Sequence, residues 1–559
     1  MNGWKLFFFF GFLTCYCGSL FGQSIEVQWQ SANESVLPFI DSLNVQPPFE
    51  TSQIALLAQR EAIKRLEKRG YFDAQCKVRD VDAQHRVIEL ETGPRVQKLT
   101  IIISPILYSQ YPAVFLVGQE RVVLPIEQVA QQLNSWSMQL EKLGFSFNEV
   151  FLTHFERTAD QLVAQLEMKQ STRRFLSEIV VNGFPKFPES HRKNLYRQFR
   201  KKPFSADLVD KIHREMSQYP FARTLKYPEL LFTKDSTKVF TYLEKAANNV
   251  FDGFAGFSND ESKKLRLNGY LDLLLHNTLK AGEKLELNWK DNGRSQSQFR
   301  FGFTLPYAFK TPLGIRAQLH ILRQDSTFQS TTSDIALGYL FKYNSRFYIG
   351  YQETESAALL QTKSNLVNDL TRTFYTLSYE WSQQGSHPMY PEKSNLTAQW
   401  GWGSRHTFGN DQAQWQLLFS GNYLFEMSTR HAIWVQQTTK WLSSTSYLTN
   451  ELFRFGGIQS FRGFAENSLQ ATALSVVQTE YRFMAAGNVY VHTVFDYGWV
   501  QDQTLPNDLG RHTLAGFGAG MGLLNKGSLF KIIYAVGQID GQAPEGSNGL
   551  VQLSYRTTF

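Results

Sequence analysis

The sequence predicts tandem α+β domains followed by an all-β, 16-stranded transmembrane barrel. Three observations carry this reading. Up to about residue 247 apolar residues recur at helical spacing between short alternating runs. From about residue 248 the helical period vanishes, and alternating segments of roughly ten residues are separated by Gly, Asn, Asp, Ser and Pro clusters. The chain then ends on a clean alternation, with Val551, Leu553, Tyr555, Thr557 and Phe559 on one side and Gln552, Ser554, Arg556 and Thr558 on the other. Beyond the N-terminus no window of about eighteen residues is continuously apolar, so spanning helices are excluded. A closed sheet is the other way to satisfy every backbone group in lipid.

Residues 1–22 carry one Lys, an apolar run from Leu6 to Leu13, and small residues at Gly18, Ser19 and Gly22. This is the pattern of a signal peptide cleaved near Gly22. Neither Cys15 nor Cys17 follows the small residue that lipoprotein processing prefers. Without the signal Cys76 is the remaining thiol, so no intrachain disulfide can form and Cys76 reads as a buried residue. A formal charge of +7 over 559 residues is mild and 14% aromatics is high. That balance argues against nucleic acid and for a chain that furnishes lipid–water boundaries.

Residues 23–247 hold a degenerate repeat. Leu66-Glu67-Lys68-Arg69-Gly70-Tyr71-Phe72 is echoed by Leu140-Glu141-Lys142-Leu143-Gly144-Phe145-Ser146-Phe147, and faintly by Glu215-Met216-Ser217-Gln218-Tyr219-Pro220-Phe221. The spacing suits a small domain, giving copies at 23–93, 94–172 and 173–247. Each echo ends a helix and leads to strands, with Gly70 and Gly144 as left-handed caps. Ile54, Leu57, Ala58, Ala62 and Leu66 share one helix face, as do Val129, Leu133, Trp136, Leu140 and Leu143; these are core stripes. His191, Arg192, Lys193, Arg197, Arg200, Lys201 and Lys202 form a basic cluster in the third copy. It reads as a solvated helix face, or as a contact for lipid head groups or an acidic partner.

Residues 248–559 divide into sixteen strands, the first at 250–258 and the last at 549–559. Tight connections at 484–487 and 524–528 contrast with longer ones at 501–511 and 540–548. Trp381, Trp400, Trp402, Trp441 and Trp499 are candidate interface anchors. Gly516, Gly518, Gly520 and Gly522 strip one strand face of side chains, offering a resting place for another segment. No helix follows them, so they are no nucleotide fingerprint.

Between the eleventh strand at 431–442 and the twelfth at 470–483 lies an insertion, 444–469, with the stretch Gly456, Gly457, Phe461, Arg462, Gly463 and Phe464. With Phe453, Phe455, Ile458, Phe461 and Phe464 it is too apolar to stay in water, so it is expected to fold into the lumen. Arg462 then needs an anion. On the neighbouring strands Asp496 and Glu480 point away from the apolar rows Val489, Val491, Phe495, Tyr497, Trp499 and Tyr481, Phe483. A guanidinium in the lumen can fork onto such a carboxylate. The alternative is a surface Arg in a loop and an Asp at a strand end.

The Arg462-Gly463-Phe464 element, the Glu480-Tyr481-Arg482-Phe483 strand start, the Asp496-Tyr497-Gly498 strand end and the terminal Phe559 resemble, together and in this order, the outer-membrane assembly and translocation superfamily. BamA, TamA and the two-partner secretion transporters belong to it. The resemblance implies that Arg462 pairs with Asp496, close to Glu480, and that the N-terminal copies are POTRA domains. One departure is Val494, where the superfamily usually has Phe.

The first strand, near Asp252-Gly253-Phe254-Ala255-Gly256-Phe257, is short and carries two glycines, so its pairing with the strand ending at Phe559 is expected to be weak. The resemblance implies a seam that opens sideways; the alternative is a closed seam with Gly253 and Gly256 at a kink. Three copies and a 16-stranded barrel resemble TamA in layout. This implies an assembly factor in the outer membrane of a Gram-negative-type bacterium, with its N-terminal domains in the periplasm. Its implied partners are unfolded outer-membrane or secreted clients, membrane lipids and an inner-membrane-anchored, periplasm-spanning protein. Clients would add a strand to an open sheet edge. The alternative function is a two-partner-type secretion pore for a dedicated exoprotein. Such pores usually have two POTRA copies and an N-terminal plug helix, whereas residues 25–29 read as a strand. No His-Glu-x-x-His, Gly-x-Ser-x-Gly, phosphate loop or Cys-x-x-Cys occurs in the mature part, so no enzyme, metal, cofactor or nucleic-acid function is expected.

Overall fold

The computed structural model describes residues 26–33, 36, 38, 51–80, 85–115, 118, 120–158, 161–169, 171–234, 236–259, 265–291, 296–325, 327–359, 366–387, 389–504, 510–525, 527–542 and 549–559. The expected signal peptide, its cleavage point, Cys15 and Cys17 lie outside them. The chain divides into two compact units, Met1–Arg174 and Phe175–Phe559.

The first unit contains two small sheets. Strands β1 (Glu26–Ser31), β2 (Gln75–Asp80) and β3 (His85–Glu91) form a sheet in the order β1-β3-β2, with β1 parallel to β3. Helix α1 (Thr51–Glu67) covers it through Leu66, which packs with Tyr71, Ala74 and Leu90, while Ala62 is also buried. Leu57, expected on the same core face, is exposed. Ile54 and Ala58, also expected on that face, lie outside the residues whose side chains are described. Cys76 is half-buried rather than buried, and that burial raises its thiol pKa.

The second sheet joins β4 (Lys98–Ile102), β5 (Arg121–Pro125), β6 (Glu149–Thr158) and β7 (Gln161–Lys169) in the order β5-β4-β7-β6. Helices α2 (Pro105–Gln110) and α3 (Ile126–Lys142) complete it, and Val129, Trp136 and Leu140 of α3 are buried in its core. Gly70 and Gly144 follow α1 and α3 with φ of +94° and +98°. At Gly70 a Cβ would lie 2.0 Å from the Val96 carbonyl oxygen, so both the dihedral and the close approach require glycine there.

The second unit begins with a third sheet of the same order. Its strands are β8 (Glu178–Asn182), β9 (Ala222–Phe232) and β10 (Thr237–Lys245), arranged β8-β10-β9. Helices α4 (Glu189–Phe199) and α5 (Ala206–Met216) pack on it; α5 starts at Ser205, whose Oγ accepts from the Leu208 N–H at 3.3 Å. Leu208, Val209, Ile212 and Met216 meet Val239 and Leu243 of β10. These N-terminal α/β segments resemble POTRA domains.

The core of this third segment runs directly into the barrel rim. Tyr307, Leu340 and Tyr343 belong to the same cluster, and the His191 ring sits 5.0–5.2 Å from the rings of Tyr219, Phe221 and Tyr307. Asn194 and Arg197 donate to the Lys310 carbonyl oxygen at 3.3 and 3.0 Å, and Lys342 pairs with Glu215 at 2.5 Å. This corrects the basic-cluster reading at His191, which is buried in an aromatic cage and belongs to no solvated face. Arg192 is drawn to Glu189, whereas Lys193, Arg197, Arg200, Lys201 and Lys202 remain exposed.

The barrel strands run β11 (Val250–Asn259), β12 (Leu265–His276), β13 (Lys284–Asp291), β14 (Gln296–Leu305), β15 (Leu313–Gln324), β16 (Phe328–Lys342), β17 (Ser345–Ala358), β18 (Leu370–His387), β19 (Tyr390–Thr407), β20 (Asn410–Glu426) and β21 (His431–Ser443). After a small inserted hairpin, β22 (Phe453–Phe455) with β23 (Leu469–Ala471), they continue as β24 (Ala473–Ala486), β25 (Val489–Gln501), β26 (Arg511–Asn525), β27 (Ser528–Ile539) and β28 (Leu550–Thr558). Without the hairpin these are sixteen antiparallel staves in a closed barrel. The usual polarity is inverted. On β16 Ile335, Leu337, Tyr339 and Phe341 are exposed at 46–66%, whereas Ser330 and Asp334 are buried. Such a surface is stable only against lipid.

Candidate functional site

The insertion leaves β21 at residue 444 and rejoins the wall at Ala473, three residues later than the sequence suggested. Leu469–Ala471 instead pairs back onto Phe453–Phe455, closing the neck with its own ladder. Beyond that neck the chain forms a knot. Gly457 N–H donates to the carbonyl oxygens of Phe461 and Phe464 at 3.0 and 3.1 Å, and Ser460 Oγ bonds both backbone groups of Gly456. Phe455 and Phe461 are buried with Ala471, Leu474, Val476 and Leu514, so the apolar insertion supplies its own core inside the lumen. Gly463 has φ +91°, and a Cβ there would fall 2.5 Å from the Gly537 nitrogen. Two wall glycines complete the seat: a Cβ at Gly516 would meet the Arg462 carbonyl oxygen at 2.5 Å, and one at Gly537 would meet the Phe464 ring at 2.6 Å. Of the glycine row on β26, Gly516 alone receives the knot, since Gly520 and Gly522 instead make room for the rings of His492 and Tyr490.

Arg462 is 1% exposed. Its backbone N–H donates to Asp496 Oδ2 at 2.8 Å, its Nε to the same oxygen at 2.9 Å, and its Nη2 to Asp496 Oδ1. Nη1 donates to Glu480 Oε1. Glu480 also accepts from Arg482 Nε at 2.7 Å and from Lys531 Nζ at 3.1 Å, and Gln478 Nε2 reaches Asp496 at 3.4 Å. Two buried carboxylates thus face three cations. Tyr390, Trp434 and Tyr490 wall the cluster, with the Arg482 guanidinium 5.0–5.8 Å from their ring centres. Arg462, Glu480 and Asp496 are fully desolvated, so the cluster holds only while these members keep their partners.

A second anchor ties down the near limb of the insertion. Glu451 is fully buried and accepts from Arg405 Nη1 on β19 and from Gln414 Nε2 on β20, the latter at 3.0 Å. Asn450 donates to Ser356 Oγ on β17 at 2.8 Å, and Arg372 Nη1 on β18 reaches the Glu451 carbonyl oxygen at 3.4 Å. The insertion therefore crosses the lumen, held by β17–β20 at its neck and by β24–β27 at its tip. Sequence reading missed this pair, whose members lie 46 residues apart in the chain. It also missed Lys531, although a lone Lys within Leu529-Phe530-Lys531-Ile532-Ile533 is a visible signal for a lumen-facing charge.

The barrel is joined least where its ends meet. β11 and β28 share two register pairs, Val250 with Thr558 and Phe251 with Thr557, extended by hydrogen bonds between Asn249 and Phe559 at 2.9 and 3.3 Å. In contrast β11 pairs with β12 from Val250 through Asn259, and β28 with β27 from Leu550 through Thr557. β11 spans ten residues, Gly253 and Gly256 lie beyond the joined stretch, and a Cβ at Gly253 would touch Leu271 of β12 rather than β28. Beyond Phe251 and Thr557 the two end strands share no register pair among the described residues.

Residues 277–542 match the Omp85 superfamily domain. The barrel is an Omp85 superfamily domain. Among solved structures the chain is similar to CdiB from Acinetobacter baumannii, at TM-score 0.53 and 14% identity over 84% of this chain and 91% of that one. It is also similar to CdiB from Escherichia coli, at 0.52 and 14% over 91% and 97%. BamA from Haemophilus ducreyi lacking POTRA domains 1–3 aligns at 0.45 and 14% over 82% and 99%. At such identities the likeness is one of fold. No curated protein sequence matches the chain.

The remaining motif positions of the Omp85 barrel serve its wall. Gly498 lets β24 approach, since a Cβ there would fall 2.5 Å from the Ser475 carbonyl oxygen. The Phe483 ring lies 5.1 Å from that of His431. Val494, the departure from the superfamily pattern, packs with Ile533, Ala535 and Ile458 of the insertion. A smaller side chain at 494 leaves the space that Ile458 fills.

Proposed function

We propose that this outer-membrane protein is an assembly and translocation factor that receives unfolded clients on its periplasmic α/β segments and passes them through the join between β11 and β28. The observation that carries the reading is the short join itself. Two register pairs close it, against ten between β11 and β12 and eight between β27 and β28. The backbone of both end strands above Phe251 and Thr557 has no ladder partner across the join among the described residues. An unpaired strand edge is a template for another strand, so a nascent client strand can pair there. In the third α/β segment β9 is an edge strand and exposes Leu225, Tyr227, Leu230 and Leu231, which suits capture of an extended apolar chain before insertion. An inner-membrane-anchored partner would meet the first unit.

A secretion pore for one exoprotein would need the insertion to leave the lumen. Its two anchors on separate stretches of the wall, Glu451–Arg405 and Arg462–Asp496, weigh against that. Depletion tests the choice: loss of many barrel proteins from the outer membrane supports assembly, and loss of one secreted protein alone overturns it.

A further inference from the structure

A cavity of about 370 Å³ lies between the neck of the insertion and the wall of β14–β21. Arg300, Arg372, Lys440 and Arg454 line it, together with His320 and a single carboxylate, Glu451, among the described residues. Glu451 is already committed to Arg405. The other carboxylates in range are also engaged: Glu466 with Lys290, Asp502 with Gln470 and Thr504, and Asp325 with Thr327. Lys440 and Arg300 have no hydrogen bond or ion pair among the described residues; the Lys440 ammonium lies 5.8 Å from the Phe453 ring centre. Arg372 is only 9% exposed, yet its buried Nε has no partner, and the buried Arg454 Nε and His320 Nε2 are likewise unpartnered. Four cations thus line one partly open lumenal space with donors to spare. Like charges held this close in a partly desolvated site repel one another unless an anion sits among them.

We propose that this cavity binds a small multivalent oxyanion of the phosphate class, held by Arg300, Arg372, Lys440 and Arg454. Guanidinium groups fork onto tetrahedral and planar oxyanions, and the ammonium adds a compact point charge. At about 30 Å³ per water the space equals roughly a dozen waters, enough for pyrophosphate with part of its hydration. Arg454 belongs to the insertion, whereas Arg300, Arg372 and Lys440 belong to the wall. The anion therefore bridges the two and favours the state in which the insertion occupies the lumen.

Inorganic pyrophosphate is titrated calorimetrically into the purified full chain in detergent at constant ionic strength set by chloride. Saturable 1:1 binding is expected, with affinity falling at least tenfold in the Lys440→Gln/Arg454→Gln double variant and retained in Lys440→Arg. Arg300→Gln, which removes an exposed lumenal side chain with no hydrogen bond, gives the same loss without disturbing the fold. Absence of saturable binding overturns the proposal. Undiminished binding in Arg300→Gln, or equal displacement by chloride, overturns it as well, because the anion is then held elsewhere or by screening alone.

Discussion

The backbone N–H and the guanidinium Nε of Arg462 both donate to one oxygen of Asp496, at 2.8 and 2.9 Å. A single carboxylate thereby fixes the position of the knot and the direction of its side chain. Lysine cannot reproduce this, because an ammonium lacks the fork. Arg462→Ala leaves Asp496 and Glu480 buried with fewer partners, a loss of about 3–5 kcal/mol in the seating of the insertion. Arg462→Lys should lose part of that. Limited proteolysis of 444–472 in the folded barrel reads both; equal protection in wild type and Arg462→Ala would show that the pair does not seat the loop.

Glu451→Gln should free the neck while the tip stays seated. Because the anchors grip different strands of the wall, each single variant keeps partial protection of 444–472, and the double variant with Arg462→Ala loses it altogether. A double variant no worse than Arg462→Ala alone would remove Glu451 from the account.

Gly516→Val places a Cβ 2.5 Å from the Arg462 carbonyl oxygen. Overpacking of this kind costs about 1–3 kcal/mol. The barrel should still form, since β26 keeps its register with β25 and β27, but its insertion should be cleaved faster. Valine at 516 with wild-type cleavage rates would mean that the knot rests elsewhere.

Cysteines at Phe251 and Thr557, which face each other across the join, should cross-link on oxidation. If clients pass there, complementation by the oxidised form fails and reductant restores it. Full activity of the cross-linked protein would exclude a lateral route.

Docking of the third α/β segment on the rim should weaken in mild acid. Burial, with the Arg346 cation adding to it, pushes the His191 pKa down to about 3. An undocked, solvated imidazole titrates near 6.5. Only the undocked state takes up a proton between these values, so docking is fully present above about pH 6.5 and is lost as pH falls toward 3. At pH 5 the loss is about 2 kcal/mol. Faster amide exchange in 307–310 at pH 5 than at pH 7, abolished in His191→Phe, is the expected result; pH-independent exchange in the wild type would refute it.

The sequence alone determined the repeated α/β segments, the number of staves, the position of the insertion after the eleventh and the inward direction of Glu480 and Asp496. All of these follow from periods of two and 3.6 residues and from glycine, which act locally along the chain. Only the tertiary structure decided that Arg405 meets Glu451, that His191 is caged by Tyr307 across the rim, and that the end strands meet over two pairs. Those contacts join residues far apart in the chain, and how a barrel closes depends on the tilt and register of all sixteen strands together, which no local pattern encodes.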